Sequence, residues 1–324
     1  MANSASWMLP EGVEEILPAE AKQIEALRRK VLDELDRRGF ELVMPPVMEF
    51  VDSLLTGTGE ELDTQTYKFM DQHTQRMLGI RADMTPQIAR IDAHYLSHRD
   101  VNRLCYAGTV LRTRPDQMGG QRELLQVGAE VFGIADESAD LDILEAMLAT
   151  LHLGGATQIT LSLGHVDVYS ALKENQQISG HVENTLFDVL QRKSLPDLND
   201  LAASFNIKPF VQMLEWQGDA SVIQQVGAWL QENIGETSDV QAELVKLQTV
   251  ADHLSKNHPT LDVHIDFADV LGYRYHTGLK YSAFVSGRGR AIAKGGRYDR
   301  VGEHFGRARP ATGFSADLKS LFRI

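Results

Sequence analysis

The amino-acid sequence predicts an α+β fold, an antiparallel sheet flanked by helices. Three observations carry this. Short segments of alternating polarity, separated by turn residues, run from residue 40 to 133 and again from 261 onwards. Helical patterns are gathered into blocks and not interleaved as a β-α-β repeat. Residues 110–133, VLRTRPDQMGGQRELLQVGAEVFG, form two strand patterns joined by a glycine-containing loop.

Each element follows in order. Ile24, Leu27, Val31 and Leu35 recur at helical spacing, which predicts an amphipathic helix over residues 19–38 ending at Gly39. Phe40, Leu42 and Met44 alternate as a strand up to Pro45 and Pro46. Residues 66–81 predict a hairpin turning near Asp71 and Gln72. Thr85 is placed to cap a helix with Pro86 in its first position and Ile88, Ile91 and Tyr95 on its buried side. Arg112 and Arg114 lead into a turn forced by Pro115, Asp116, Gly119 and Gly120. Beyond it Leu125, Val127, Ala129 and Val131 alternate with Leu124, Gln126, Gly128 and Glu130. One face of that strand is therefore apolar, while the other carries Gln126 and Glu130 side by side. An exposed antiparallel face tolerates such residues, whereas an inner face requires something polar to meet them. The pattern alone leaves both open.

Leu141, Leu144, Leu148 and Leu151 mark a further helix, and Ile159, Leu161 and Leu163 a strand. Residues 175–258 then change character, with ten glutamines and no convincing strand. Val222, Val226, Trp229 and Leu230, and then Val240, Leu244, Leu247 and Leu254, show helical spacing. Ser238 with Gln241 matches a capping box. We read this block as an inserted helical subdomain within one domain spanning 1–324. Strands resume from Leu261, through Leu279–Val285 and residues 291–292, to a final helix containing Leu318.

Composition narrows the function. A chain of 324 residues with 43% hydrophobic content can bury a large core and an inserted subdomain. The single cysteine, Cys105, excludes a disulfide framework and a cysteine-rich metal site, and its apolar run VNRLCYAGTV suits a small buried hydrophobe. No leader-like or membrane-spanning pattern is present, so a soluble cytoplasmic protein is expected. The net charge of −13 repels phosphate backbones, and nucleic-acid binding is not expected. Residues 285–324 are the exception, with nine Lys/Arg against three Asp/Glu interleaved with glycine. They suit either a solvated face with turns or an anion-binding patch. Nothing matches a P-loop or a dinucleotide fingerprint. His94 and His98 stand four apart on a helix but lack a third ligand, so no metal site is expected.

Six segments in order resemble the class II aminoacyl-tRNA synthetases, and in detail the histidyl enzyme. GFELVMPPVME from Gly39 resembles motif 1, with Pro46 at the motif proline. IRADMTPQIAR from Ile80 resembles the segment that holds the amino acid, and residues 110–133 resemble motif 2. LGYRYHTG from Leu271 and AKGGRYDR from Ala293 resemble the two histidine-specific signatures, and ATGFSADLKSL from Ala311 resembles motif 3. Three positions depart. Arg114 stands where the family reads adenine with glutamate, Leu271 where an arginine supports adenylation, and Lys319-Ser320 where a glutamate-arginine pair grips phosphate. Each lost charge stabiliser costs on the order of 100–1000-fold in rate. The sequence ends at Ile324, just past motif 3, so no anticodon-binding domain is expected. With WMLPEGVEEILP from Trp7, these features resemble the regulatory-subunit family of the short-form ATP phosphoribosyltransferases, paralogues of histidyl-tRNA synthetase in histidine biosynthesis.

The resemblance implies a class II synthetase-like fold with no catalytic residues and no cofactor. It implies a histidine-binding site of Asp83, Thr85, Arg112, Gln126, Glu130, Tyr275 and His276, with Arg112 on the carboxylate. Asp83 is one methylene shorter than the family's glutamate, and His276 replaces a tyrosine. As partners it implies a second copy through motif 1, the catalytic phosphoribosyltransferase subunit, and L-histidine as feedback effector. The alternative is a divergent adenylate-forming enzyme.

Overall fold

The elements of the computed structural model run α1 (Pro18–Arg37), β1 (Glu41–Leu42), β2 (Met48–Phe50), α2 (Val51–Leu54), α3 (Glu60–Gln65), β3 (Tyr67–Met70), β4 (Met77–Ile80), α4 (Thr85–His94), β5 (Asn102–Leu111), β6 (Glu123–Phe132) and α5 (Glu137–Leu153). They continue with β7 (Ile159–His165), α6 (Val166–Asn175), α7 (Gly180–Gln191), α8 (Leu195–Ser204), α9 (Lys208–Met213), β8 (Gln217–Gly218), α10 (Ser221–Asn233) and α11 (Ser238–Asn257). The last are β9 (Asp262–Asp266), β10 (Leu279–Val285), β11 (Ala293–Arg297), a 3-10 turn at Val301–Phe305, β12 (Ala311–Asp317) and α12 (Leu318–Phe322). The structure describes residues 8–57, 60–115, 120–235, 237–270, 272–273 and 275–324. The motif 2 turn at 116–119 and Leu271 lie outside the described residues.

The chain divides into two units. The first comprises Met1–Ile134, Ile143–Ala156 and Arg300–Ile324, and the second Ala135–Asp142 and Thr157–Asp299. In the first, β1, β5, β6 and β12 lie side by side in that order. The β5–β6 and β6–β12 pairings are antiparallel, as expected. β1 pairs parallel to β5, because α2–α4 and the hairpin between them supply the crossover that parallel pairing needs. The hairpin forms as β3 and β4, with Asp71 N–H donating to Arg76 O across its turn. With β2 they make a separate three-stranded sheet. α1 buries Ile24, Leu27, Val31 and Leu35, the stripe its periodicity predicts.

Three polar side chains lace the Pro45-Pro46 segment to its neighbours. Buried Arg81 donates through Nη1 to Pro45 O at 2.7 Å and through Nε to Thr109 O at 2.9 Å. Gln87 Nε2 donates to Pro46 O at 2.8 Å and to Glu49 Oε1 at 2.7 Å, and Arg90 also reaches Glu49. Burying these donor groups is tolerated because they meet carbonyls and the Glu49 carboxylate.

Several local expectations are corrected. Phe40 is buried, but β1 covers only Glu41–Leu42, and Met44 is 80% exposed. Tyr95 is 71% exposed, since α4 ends at His94 and its buried stripe passes through Gln87, Ile88, Ala89 and Asp92. Asp92 is drawn inward by Asn102 Nδ2 at 2.6 Å and Arg309 Nη1 at 3.4 Å. Thr85 is the first residue of α4 and not its cap. Met84 stands at the N-cap without a side-chain bond. The Ser238–Gln241 capping box does not form either. Thr237 is the N-cap, and Gln241 Nε2 donates instead to Gly227 O at 2.6 Å.

In the second unit the strand order is β11, β10, β7, β9, β8. Only the β7–β9 pair is parallel among the pairings described there. Residues 175–258 hold α7–α11 and the two-residue β8, and belong to this unit together with β7, β9, β10 and β11. Its core includes Phe210, Val226, Leu230, Leu244, Leu247 and Leu254, with Trp216 and Trp229 edge to face at 5.0 Å. Near the start of α5, buried Asp140 accepts from Arg297 Nη2 at 2.7 Å and Nε at 3.2 Å. Among the described residues no helix is long and apolar enough to cross a membrane.

Candidate functional site

The site in the first unit starts from strand polarity. Gln126, Gly128 and Glu130 share one face of β6, and this face is not solvated: Gln126 is 4% exposed and Glu130 1%. The solvent-facing alternative is thereby removed. What meets these groups is the segment leading into α4. Glu130 Oε1 accepts from Thr85 Oγ1 at 3.0 Å and from the Tyr106 hydroxyl at 3.0 Å. The two hydroxyls are 3.2 Å apart. Gln126 Oε1 accepts from the Met84 backbone N–H at 2.9 Å, and Asp83 Oδ1 from the Thr85 N–H at 2.8 Å.

Two glycines make room for this cluster. Gly128 lies opposite Tyr106 across β5–β6, and Gly313 opposite Glu130 across β6–β12. A Cβ at Gly128 would fall on the Tyr106 hydroxyl and on Phe314 O; one at Gly313 would fall on Glu130 Oε2. Mid-strand glycine here serves close approach. Burial and the neighbouring carboxylates hold the Tyr106 phenol well above its ordinary pKa, so it keeps its proton and donates.

Asp83, Thr85, Gln126 and Glu130 are therefore brought together. Arg112 follows β5, with its Nε donating to Ala82 O at 3.3 Å, one residue before Asp83. The cluster offers carboxylates and an amide for a cationic amine or an imidazole, and a guanidinium for a carboxylate. Tyr106, Gly128 and Gly313 escaped the sequence reasoning. Tyr106 sits in an apolar run where a tyrosine counts as core, but the two mid-strand glycines were a usable signal.

Tyr275 and His276 belong to the second unit. The Tyr275 ring stacks on Tyr298 with centroids 5.3 Å apart. His276 Nδ1 lies 3.1 Å from Gly272 O, and because a carbonyl only accepts, Nδ1 carries the proton and Nε2 is the acceptor. Burial, then the nearby Lys280 charge, lower the His276 pKa to about 4. An unfolded histidine binds its proton below about 6.5. Between the two values the unfolded chain holds more protons, so stability rises with pH across that window and falls on acidification. An NMR titration should find the His276 ring neutral at pH 6; a ring titrating near 6.5 would contradict this environment.

Of the positions that depart from the synthetase motifs, Lys319 and Ser320 are tied into the fold. Asp317 caps α12 by accepting from the Ser320 N–H at 3.0 Å, and Ser320 Oγ donates to the same Oδ2 at 2.6 Å. Lys319 is buried, with Nζ donating to Glu123 O at 3.2 Å and lying 4.0 Å from the Glu14 carboxylate. Arg114 is exposed. The basic C-terminal stretch is divided: Arg297 and Arg309 are buried in ion pairs, while Lys294 and Arg300 are exposed. His94 and His98 are both exposed. Cys105 is buried, and burial pushes its thiol up to about 12.

The sheet and the buried acid–hydroxyl cluster define a class II synthetase-like protein of the histidyl branch, and residues 12–321 match the histidyl-tRNA synthetase family. An ATP phosphoribosyltransferase regulatory subunit from Thioalkalivibrio sulfidiphilus is 46% identical over 100% of this chain and 82% of its own length. The chain belongs to the family of ATP phosphoribosyltransferase regulatory subunits. Among solved structures, an ATP phosphoribosyltransferase regulatory subunit/histidyl-tRNA synthetase from Bacillus halodurans matches with a TM-score of 0.85 at 25% identity, covering 98% of this chain and 83% of that one. An ATP phosphoribosyl transferase complex from Thermotoga maritima matches with a TM-score of 0.66 at 17% identity, over 90% of this chain and 96% of that one.

Proposed function

We propose that this protein is the non-catalytic regulatory subunit of a short-form ATP phosphoribosyltransferase, acting in the cytoplasm at the first step of histidine biosynthesis. It assembles with the catalytic subunit, raises its turnover, and confers feedback by binding free histidine at the Glu130 site. One observation supports this above the others. Lys319 and Ser320, at the phosphate-gripping positions, are tied into the fold, while the amino-acid cluster of Thr85, Tyr106, Gln126 and Glu130 is intact. Within that cluster Glu130, Gln126 and Asp83 take the imidazole and the α-ammonium, and Arg112 the carboxylate. Tyr275 and His276 enter on the resemblance alone. Feedback then requires histidine to bind two states of the assembly unequally.

The motif 1 segment leaves Leu42, Met44, Val47 and Met48 exposed, which suits pairing with a second copy of the chain. We also treat residues 175–258 as an inserted helical subdomain.

Adding the purified protein to a short-form catalytic subunit should raise phosphoribosyl transfer, and histidine should then inhibit the mixture. Unchanged turnover at saturating protein would refute the partner. Histidine-dependent pyrophosphate exchange by the chain alone should stay at background; exchange at a synthetase-like rate would favour the adenylate-forming alternative. Light scattering on the same samples reads the dimer, and a monomer at micromolar concentration would remove that part.

A further inference from the structure

Arg81 is a buried cation whose contacts are all to neutral groups. It is 4% exposed, and its donors go to main-chain carbonyls: Nε to Thr109 O at 2.9 Å, Nη1 to Pro45 O at 2.7 Å and Pro46 O at 3.4 Å. A carbonyl satisfies an N–H but does not carry the opposite charge. Among the described residues no carboxylate comes within ion-pair distance of Arg81, and Nη2 has no hydrogen-bond partner. Glu49 acts on it from further away, and that carboxylate is already held by Gln87 and Arg90. Buried charges are ordinarily paired, as Arg309 in the same unit is with Asp92 at 3.4 Å.

The unused nitrogen has a direction. A Cβ at Gly108 would fall on Arg81 Nη2, so Nη2 takes the place of a side chain on β5. Gly108 lies directly opposite Gln126 on β6, and the side chains of such a pair leave the sheet on one face. Tyr106 and Glu130 share that face by alternation. Nη2 therefore stands on the face of the amino-acid cluster, beside Gln126.

We propose that Arg81 is an anion-binding residue of this site, its Nη2 receiving the carboxylate of the bound amino acid, a role that rests on the amino-acid site proposed above. The ligand supplies the counter-charge that the fold leaves out. Folding has already desolvated and oriented the guanidinium, so the carboxylate meets a preorganised, charge-assisted donor. Arg81 joins Arg112 in this role, and a ligand without a carboxylate leaves Arg81 unpaired.

The test is calorimetry with L-histidine and with L-histidinol, which has an alcohol in place of the carboxylate. The full-length parent is compared with Arg81→Lys, Arg81→Gln and Gly108→Ala, and a thermal melt checks folding. Lysine keeps the charge but loses the guanidinium fork; Gly108→Ala keeps Arg81 and pushes on Nη2 with one methyl. The parent should prefer histidine, and that preference should shrink roughly 10-fold or more in the Arg81 variants, the scale of one hydrogen bond to a charged group. In Gly108→Ala it should shrink several-fold, and this variant decides if the Arg81 variants do not fold. Histidinol affinity should hold throughout, whereas a merely structural defect would weaken both ligands alike and leave the ratio fixed. A parent that binds histidine, with no preference over histidinol or with a ratio that no folded variant changes, overturns this inference alone. A parent that binds neither overturns the amino-acid site as well.

Discussion

Glu130→Ala is expected to lower histidine affinity about 10- to 150-fold, the range for losing a hydrogen bond to a charged group, while stimulation of the catalytic subunit survives. The carboxylate is 1% exposed, so water does not replace it cheaply. The two donors it leaves behind are 3.2 Å apart and can bond each other, which limits the loss of stability. Calorimetry on the isolated chain and inhibition curves on the complex measure the two effects separately. If the mutant complex stays as sensitive to histidine as the parent, the sensor lies elsewhere in the assembly.

Asp140→Ala should strongly destabilise the second unit. Arg297 is 7% exposed and Asp140 5%, and two guanidinium nitrogens converge on one carboxylate oxygen. Removing the acid takes away the closest counter-charge of a buried cation; breaking such a pair costs about 3–5 kcal/mol in comparable cases, and Asp136 O and Asp299 keep this one toward the low end. Asp299 also approaches Arg297, but at 3.5 Å with its side chain 37% exposed, so Asp299→Ala should cost roughly 0–1 kcal/mol. Urea unfolding of the two variants measures the contrast. Equal midpoints would mean that the Asp140 pair contributes no more than a surface pair.

The sequence made the repeating parts legible. The α1 stripe and the boundaries of β10 follow from apolar spacing, because burial on one face is all that those elements need. The α4 stripe was misjudged at Tyr95 because Gln87 and Asp92 are buried by partners at positions 46, 49, 102 and 309, which no local pattern reveals. Capping failed in the same way: Ser238 and Gln241 have the right spacing, yet Gln241 is claimed by a carbonyl on α10. At the site, polarity alternation exposed Gln126 and Glu130 directly. Tyr106 became visible only when the register set it beside Gly128. The basic stretch was legible as charge but not as structure, since Arg297 and Arg309 are neutralised by Asp140 and Asp92, more than 150 residues away along the chain.

The lacing of the proline pair has a mechanical meaning. Glu49 on β2 is gripped by Gln87 and Arg90, both on the helix whose first residue, Thr85, bonds Glu130. Gln87 also holds the Pro46 carbonyl, within the segment that exposes Met44 and Val47. On the proposed histidine and dimer sites, a subunit settling on that segment and an amino acid settling on Glu130 would both bear on one lever, the first two turns of α4. If each prefers its own setting of the lever, linkage obliges them to help or hinder one another by the same factor, read equally well as a histidine-dependent dimer constant or a concentration-dependent histidine affinity.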